Sequence, residues 1–450
     1  MSFLKRFQSA LESLYRLPDK SNYVIAYSGG VDSHVLLFCC AKLNVPVRAV
    51  HVHHGLQSVA DDWVVHCKKK CEQLGVHLDI AYVDATQKKS KSPEEAARDA
   101  RYQALTDSLQ EGDCLITAQH QNDQAETLLL QLFRTASTAG LSAMPGKKQI
   151  GEHVQIRPLL SFSRTELVSF AHENNLQWIE DPSNQDQVLD RNYVRADILP
   201  RLVKRWPAMV TQLATVAELQ SNNLNVLEDM AAIDLANVIA ESDFQSIYCR
   251  YEVLSVLSVP LLIKLSDARL FNLLRYWILS TIDVSPTRNL LLELQKTLIE
   301  AQVDANPVLT YVSFEYRRYQ NKLYLLKKKS ELAELDIASW KPSIPLVLSE
   351  KNIRMTAVKK MGAGLKLELL DEMLNIRSRQ GGEYFHPAYR QHSQSLKKLL
   401  QEEGVPPWER SSFPLLYFKD ECIAVIGLWL AKHHAVDEDS EGWIIDAEVL

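Results

Sequence analysis

The chain has 450 residues, of which 46% are hydrophobic and 24% charged, and its formal net charge at pH 7 is -6. This composition is typical of a soluble globular protein, and no apolar run is long enough to span a bilayer. The acidic total argues against general nucleic-acid binding, although local basic patches can still contact RNA. Seven irregularly spaced cysteines and an amino terminus without a signal peptide predict a cytoplasmic protein.

Residues 1–205 alternate strand and helix signals, which is typical of an α/β domain. The candidate strands are short and apolar with little alternation, as in a parallel sheet that is buried on both faces. They are Val24–Tyr27, Val47–Val52, Leu78–Val83 and Cys114–Ala118. Helices are predicted between them, and two begin at capping-box signals, Ser92-Pro93-Glu94-Glu95 and Ser163-Arg164-Thr165-Glu166.

A polar loop, Ser28-Gly29-Gly30-Val31-Asp32-Ser33, separates the first predicted strand from a helix-like run. Glycines let a ligand approach the backbone, and the amides at a helix start bind anions such as phosphate. A carboxylate repels phosphate, so Asp32 suggests a Mg²⁺ ion that bridges the phosphates. The alternative is a plain glycine turn with a serine cap, and a Walker A motif is excluded because its lysine is missing. The loop therefore predicts a site for a nucleotide with Mg²⁺.

The second predicted strand ends in His51-Val52-His53-His54-Gly55. In open α/β sheets, ligands bind at the carboxyl ends of the strands. We therefore expect His53, His54 and Gly55 to lie beside the loop, at the nucleotide. A metal site is disfavoured because no acidic residue or cysteine stands at ligand spacing here.

The fourth predicted strand leads to His120, and Asp123 and Glu126 follow at the start of a helix. Residues three apart lie on the same side of a helix. Acidic residues at this position can simply complement the helix dipole. With His120 at the strand tip, the cluster instead indicates Mg²⁺ binding or proton transfer, and Asp32 and Asp123 are the candidate metal ligands.

Strand signals fade from about Trp206, which predicts a mainly helical domain over residues 206–328 with short strands near Val308–Phe314 and Lys322–Leu326. Five apolar residues share one helical face there: Leu270, Leu273, Leu274, Trp277 and Ile278. A charged, proline-containing linker is predicted at 329–345.

A small α+β domain is predicted at 346–450, ending in a hairpin of Leu415–Phe418 and Cys422–Ile426. Its basic residues cluster before Pro406-Pro407-Trp408 and favour contacts with RNA phosphate. Lys397 and Lys398 could instead pair with the neighbouring Glu402 and Glu403.

These motifs resemble those of bacterial tRNA(Ile)-lysidine synthetases, a family of N-type ATP pyrophosphatases with an SGGxDS loop. The resemblance covers essentially the whole chain and is carried by the strings "HVHHGL", "EEAARDARY", "AQHQNDQAETLLLQL", "AGLSAM", "IRPLL", "WIEDPSNQDQVLDRNYVR", "LRYWIL" and "QSLKKLLQEEGVPPWERSSFPLLY". The last two strings are absent from generic pyrophosphatases.

The resemblance implies a Rossmann-like catalytic domain followed by two tRNA-binding domains, and a two-step ligation. The C2 carbonyl oxygen of the wobble cytidine in the CAU anticodon of tRNA(Ile) attacks the α-phosphorus of ATP, and pyrophosphate leaves. The ε-amine of L-lysine then displaces AMP. The product, lysidine, pairs with adenine, so the tRNA reads AUA in place of AUG. A monomer and a homodimer are both compatible with this reaction.

The resemblance also implies roles for particular residues. The catalytic residues would be Asp32, His120, Asp123, Glu126 and Arg98, and ATP would contact Ser28, Gly29, Gly30, Val31, Asp32, Ser33, His53, His54 and Gly55. Arginine forks suit phosphate, and contacts with tRNA or phosphate are expected from Arg134, Arg191, Asn192, Arg195, Arg390, Lys397 and Lys398. Arg98 could instead form surface ion pairs with acidic neighbours on its own helix.

The chain departs from the family pattern at two places. Asn122 replaces the first of two adjacent aspartates, and Thr135-Ala136-Ser137-Thr138 replaces a glycine-rich stretch. A tRNA thiolase of the 2-thiocytidine type is an alternative, but the spacing of Cys67 and Cys71 does not match a Cys-x-x-Cys pair. A non-catalytic tRNA-binding homologue is disfavoured by the intact loop and acidic cluster.

Overall fold

The computed structural model describes residues 1–53, 60–83, 93–134, 137–180, 188–302, 305–329, 338–348 and 352–449. The chain forms two compact units, Met1–Val226 and Leu227–Leu450. In the described part of the chain, no helix is long and apolar enough to cross a membrane.

A six-stranded sheet organises the first unit, in the order β3-β2-β1-β4-β6-β5. Its strands are β1 Tyr23–Ala26, β2 Val47–His53, β3 His77–Tyr82, β4 Cys114–Ile116, β5 Lys147–Ile150 and β6 His153–Ile156. All pairs are parallel except the β5–β6 hairpin. The four predicted strands are confirmed. The hairpin was not predicted, because β5 is polar and largely exposed and so shows no apolar run.

The helices of this unit follow the predicted alternation. They are α1 Phe3–Leu14, α2 Val31–Lys42, α3 Ala60–Leu74, α4 Pro93–Asp107, α5 Gln121–Phe133, α6 Thr138–Leu141, α7 Arg164–Glu173, α8 Asp190–Tyr193 and α9 Leu199–Arg205. Helix α10, Met209–Val238, begins in this unit and ends in the second. The capping box of Ser163 and Glu166 at the start of α7 is confirmed. Helix α4 begins at Pro93, whereas Ser92 lies outside the described residues.

Strand β1 is central in the sheet and is buried on both faces. Ile25 packs with Val35 of α2, while Val24 packs with Leu105 of α4 on the opposite face. This burial explains the continuous apolar run before the loop. It also fixes the end of β1, from which the predicted phosphate loop starts.

The second unit begins with helices packed on an antiparallel sheet, in the order β7-β8-β11-β10-β9. The elements are β7 Ile239–Ala240, β8 Tyr251–Ser258, α11 Val259–Leu262, α12 Asp267–Ile282, α13 Arg288–Glu293, β9 Val308–Tyr311, β10 Phe314–Tyr319 and β11 Lys322–Lys328. Helix α12 buries the five apolar residues predicted to share a face. Strands β7 and β8 were not predicted, and β8 is followed directly by α11, whose N-cap is Ser258, the last residue of the strand.

The C-terminal part of this unit contains two further sheets and a strand pair, with orders β12-β16-β19-β20-β21, β13-β14-β22-β15 and β17-β18. The elements are β12 Ala338–Trp340, β13 Leu346–Leu348, β14 Ile353–Met361, β15 Leu365–Lys366, β16 Leu374–Arg377, β17 Tyr384–Phe385, β18 Gln394–Ser395, α14 Leu396–Glu402, β19 Leu415–Phe418, β20 Glu421–Val425, β21 Trp429–Leu430 and β22 Glu441–Val449. The predicted final hairpin is confirmed as β19–β20. Strand β12 pairs with β16, so residues 338–340 belong to a sheet rather than to the predicted linker.

Trp408 and Glu409 join the two parts of the second unit. The Trp408 ring packs edge-on against Tyr324 of β11, with centroids 5.3 Å apart. The buried carboxylate of Glu409 accepts hydrogen bonds from the amides of Arg250 at 2.7 Å and Tyr251 at 3.0 Å. The segment around Pro406-Pro407-Trp408 is therefore an internal contact and not only a turn.

Candidate active site

The predicted phosphate loop connects β1 to α2 at the carboxyl edge of the parallel sheet. Gly29 has a φ of +85°, and a Cβ there would lie 2.7 Å from Ile179 Cδ1 and 2.9 Å from Cys67 Sγ. Ser28 Oγ lies 3.0 Å from Ser33 Oγ, and Ser33 Oγ donates to the Gly30 carbonyl at 3.0 Å. Conformation and space both require glycine at position 29, and the serine hydroxyls shape the loop.

Asp32 and His120, which lie far apart in sequence, meet beside this loop. His120 Nε2 lies 3.6 Å from Asp32 Oδ2, and the imidazole is buried. Burial lowers the pKa of His120, but the hydrogen bond to Asp32 and the charges of Asp123, Asp32 and Glu126 outweigh it, so the pKa is raised. The carboxylates therefore favour the protonated imidazole.

His120 also caps helix α5 through a reciprocal contact with Asp123. His120 Nδ1 accepts from the Asp123 amide at 3.4 Å, and Asp123 Oδ2 accepts from the His120 amide at 3.0 Å. In the neutral ring, Nδ1 accepts and Nε2 carries the proton that faces Asp32, whereas in the protonated ring the Nδ1–H group faces Asp123 Oδ2 at 3.5 Å. The cap holds the ring where the loop and α5 come together.

Arg191 and Arg195 bind the two acidic residues of α5. Glu126 is 1% exposed, and its carboxylate accepts from Arg191 Nε at 2.9 Å and from Arg195 Nε at 2.7 Å. The Nη2 atoms of the two arginines reach Asp123 Oδ1 at 2.8 Å and 3.1 Å. Burial raises the pKa of Asp123, but His120, Arg191 and Arg195 outweigh it and keep the pKa below its ordinary value. The sequence predicted these residues as site members but did not predict that they pair with each other.

The donor set fits a Mg²⁺ ion at Asp32 better than at Asp123. Asp32 Oδ1 is buried and has no hydrogen-bond partner. Both oxygens of Asp123 already accept hydrogen bonds, one from the His120 amide and one from Arg191 and Arg195. Among the described residues, no three histidines, cysteines or carboxylates form a metal cluster. Asp32 is therefore the candidate ligand that the geometry favours, and Asp123 remains a prediction.

Two other predicted residues, His53 and Arg98, have contacts with residues other than those of this cluster. His53 Nε2 lies 3.3 Å from Asp61 Oδ1 and its ring packs on Tyr82, whereas His54 and Gly55 lie outside the described residues. Arg98 is exposed on α4, with its guanidinium 5.7 Å from the centroid of the Tyr102 ring.

Two further residues of the first unit that were predicted to contact tRNA or phosphate, Arg134 and Asn192, differ in how exposed their side chains are. Arg134 is exposed at the end of α5, with Nη2 4.0 Å from Asp190 Oδ2. Asn192 is only 8% exposed, so its side chain is poorly placed for RNA. Asn122 Oδ1 accepts from the Arg164 amide at 3.0 Å, which gives this departure from the family pattern a structural role at the start of α7.

The C-terminal basic cluster is only partly available to a ligand. Arg390 forms an ion pair with Glu402. Lys397 and Lys398 are exposed on α14, and the contacts of the described residues include no ion pair for either lysine. The alternative pairing with Glu402 and Glu403 is therefore not seen in this part of the chain.

Ile179 was not predicted as a site residue, although its string "WIEDPSN" was among the resemblances. The Ile179 amide donates to the Gly29 carbonyl at 3.0 Å, and its side chain packs against the loop. The sequence signal that could have identified Ile179 is an apolar residue directly before a polar string. The contact shows that the segment before Asp181 supports the phosphate loop.

Comparisons with known proteins cover most of the chain. Family models match residues 3–202 (PP-loop domain), 257–324 (TilS substrate binding domain) and 374–447 (TilS substrate C-terminal domain). A tRNA(Ile)-lysidine synthase of Coxiella burnetii is 37% identical over 98% of this chain and 96% of its own length. One of Methylococcus capsulatus is 38% identical over 92% of this chain and 93% of its own length. A solved U34-tRNA thiolase of Methanococcus maripaludis, 18% identical, covers 48% of this chain and 78% of that chain with a TM-score of 0.41, which is too weak to support an argument.

Proposed function

Because the chain belongs to the tRNA(Ile)-lysidine synthase family, we propose that it uses ATP to ligate L-lysine to the wobble cytidine of a tRNA(Ile) with a CAU anticodon. The observation that carries the proposal is the cluster of Asp32, His120, Asp123 and Glu126 beside a glycine loop at the carboxyl edge of the sheet. Such an edge is where open α/β sheets bind nucleotides. The enzyme is accordingly a ligase that converts ATP to AMP and pyrophosphate.

In the first step, the loop from Ser28 to Ser33 holds the β- and γ-phosphates of ATP. Mg²⁺ held by Asp32 would neutralise phosphate charge when bound. The C2 oxygen of cytidine attacks the α-phosphorus, a new phosphorus–oxygen bond forms, and the bond to pyrophosphate breaks. An amide-type oxygen is a poor leaving group, and adenylation converts it into a good one.

In the second step, the neutral ε-amine of lysine attacks C2 of the adenylated base, and the carbon–oxygen bond to AMP breaks. A carboxylate must bind the lysine ammonium and remove its proton, and Glu126 and Asp123 are the candidates. Both are paired with Arg191 and Arg195 in the absence of ligands. Arginine forks also bind phosphate well, so we expect the arginines to turn to ATP and release the carboxylates for lysine.

The second unit provides the tRNA-binding surface in this proposal. Its two parts carry the matches to the substrate-binding models, and Lys397 and Lys398 are exposed on α14. The proposed divisions are a catalytic domain at 1–205, a substrate domain at 206–328 and a C-terminal tRNA-binding domain from 346. A cytoplasmic location fits the reaction, because ATP, lysine and tRNA are all present there.

A labelling experiment tests the proposal. The full chain is incubated with ATP, Mg²⁺, labelled L-lysine and a tRNA(Ile) transcript, and label is measured in RNA. Incorporation that requires ATP and fails on a transcript changed only from cytidine to uridine at the wobble position supports the ligase. Sulfur-dependent product in place of lysine incorporation would support a thiolase, and tRNA binding without pyrophosphate release would support a non-catalytic homologue.

A further inference from the structure

Tyr27 and His34 flank the phosphate loop, and their side chains contact each other. Tyr27 precedes Ser28, and His34 follows Ser33. Tyr27 Oη lies 2.8 Å from His34 Nδ1, and both side chains are almost completely buried. The contact therefore joins the two ends of the loop, through residues that have no role in the reaction described above.

The contact is a hydrogen bond between a buried phenol and a buried imidazole. Burial raises the pKa of Tyr27, so the phenol keeps its proton. The phenol donates to Nδ1 in one tautomer of the ring and accepts from it in the other, so both tautomers make the contact.

Each partner is attached to a rigid element. The Tyr27 amide donates to the Val50 carbonyl at 2.9 Å, and the Tyr27 carbonyl lies 2.9 Å from His51 Nδ1, so the end of β1 is tied to β2. The His34 amide donates to the Gly30 carbonyl at 2.9 Å within the first turn of α2. The side-chain contact thus ties the start of α2 to the end of β1, across the loop.

We propose that Tyr27 and His34 are positioning residues that hold the phosphate loop in the shape that binds ATP. A loop that is already ordered binds its ligand more tightly, because the ligand does not have to order it. Without the contact, the two glycines would let the loop occupy other conformations. The inference rests on the proposed function only in taking ATP as the ligand of the loop.

Direct binding of ATP with Mg²⁺ to the full chain, without tRNA or lysine, tests this inference. Tyr27→Phe should raise the Kd for ATP about 5- to 10-fold, which corresponds to the loss of one buried hydrogen bond. Tyr23→Phe is the matched control. Tyr23 is buried on the same strand and its phenol donates to the Tyr15 carbonyl at 2.8 Å, but it lies at the opposite end of β1 from the loop. This control should lose similar thermal stability and keep the Kd of the wild type.

A second pair of variants separates the hydrogen bond from the packing. His34→Asn keeps a hydrogen-bonding group near the position of Nδ1 and should bind ATP almost as the wild type does. His34→Leu removes this group and should weaken binding as Tyr27→Phe does. Equal Kd values for Tyr27→Phe and Tyr23→Phe, or for His34→Asn and His34→Leu, would overturn the inference. Because lysine and tRNA are absent, this outcome is independent of whether the labelling experiment succeeds.

Discussion

Glu126→Gln should destabilise the first unit, because Glu126 is the buried partner of two arginines. Its Oε2 accepts from Arg191 Nε at 2.9 Å and Arg195 Nη2 at 2.8 Å, and its Oε1 accepts from Arg195 Nε at 2.7 Å. If the glutamine oxygen replaces Oε2, the new amide nitrogen faces the Arg195 Nε–H group and cannot accept from it. The change therefore removes one hydrogen bond, replaces the charged acceptor of the others by a neutral one, and leaves the two arginines to share the carboxylate of Asp123.

The size of the effect follows from the exposure of the arginines. Breaking a buried ion pair typically costs about 3–5 kcal/mol. The side chains of Arg191 and Arg195 are 30% and 28% exposed, so water recovers part of this cost. We expect a loss of about 2–3 kcal/mol in the free energy of unfolding of this unit. For a unit of this length, that corresponds to a fall in Tm of about 5–10 °C.

Thermal unfolding followed by circular dichroism measures this fall. Asp197→Asn is the matched control, since Asp197 forms an exposed ion pair with Arg201 in the same segment. The control should leave Tm unchanged, because exposed pairs contribute little. A Tm for Glu126→Gln within about 1 °C of that of Asp197→Asn would refute the buried-pair reasoning.

Four other changes test separate parts of the molecule. Asp32→Asn should abolish AMP formation while tRNA binding survives, and wild-type AMP formation at ordinary Mg²⁺ would contradict a metal-binding role. Asn122→Asp should keep or slightly raise turnover, since a carboxylate oxygen can also accept from the backbone N–H of Arg164 at the start of α7. A severe loss of turnover in a steady-state assay would show that the site requires the side-chain amide of Asn122. The double change Lys397→Ala, Lys398→Ala should raise the KM for tRNA and leave the KM for ATP unchanged. It should also reduce the slope of the log–log salt dependence of tRNA binding by about one unit per lost phosphate contact. An unaltered slope would show that these lysines are ordinary surface charges. Asp113→Asn should lower Tm at pH 7, because burial raises the pKa of Asp113 but hydrogen bonds from an arginine and two amides outweigh it and lower the pKa below its ordinary value. The Tm difference should shrink as pH falls below about 4 and through the folded-state pKa, where the stability from a lowered pKa is lost. An equal Tm difference at pH 7 and at about pH 2 would contradict the assignment.

Local features of the chain were predictable because their causes are local. The Ser28–Ser33 loop, the capping box of Ser163 and Glu166 and the buried face of α12 each depend on residues within a few positions of one another. The buried strands were recognised because a parallel sheet covered on both faces requires continuous apolar runs. Strands β5 and β8 were missed, since β5 is polar and largely exposed, and β8 is followed directly by α11 without an intervening loop.

The membership of the candidate site was predicted from sequence, but its connections were decided by the tertiary structure. The strings around His120 and Arg191 indicated which residues take part, yet Glu126 and Arg195 are separated by 69 positions. Periodicity and spacing show which face of an element is buried, and they do not show which distant charge lies opposite. The same holds for Tyr27 and His34, whose rings meet only because β1 and α2 pack side by side. A buried carboxylate or phenol needs a partner in any fold, and only the packing of the elements determines which partner it has.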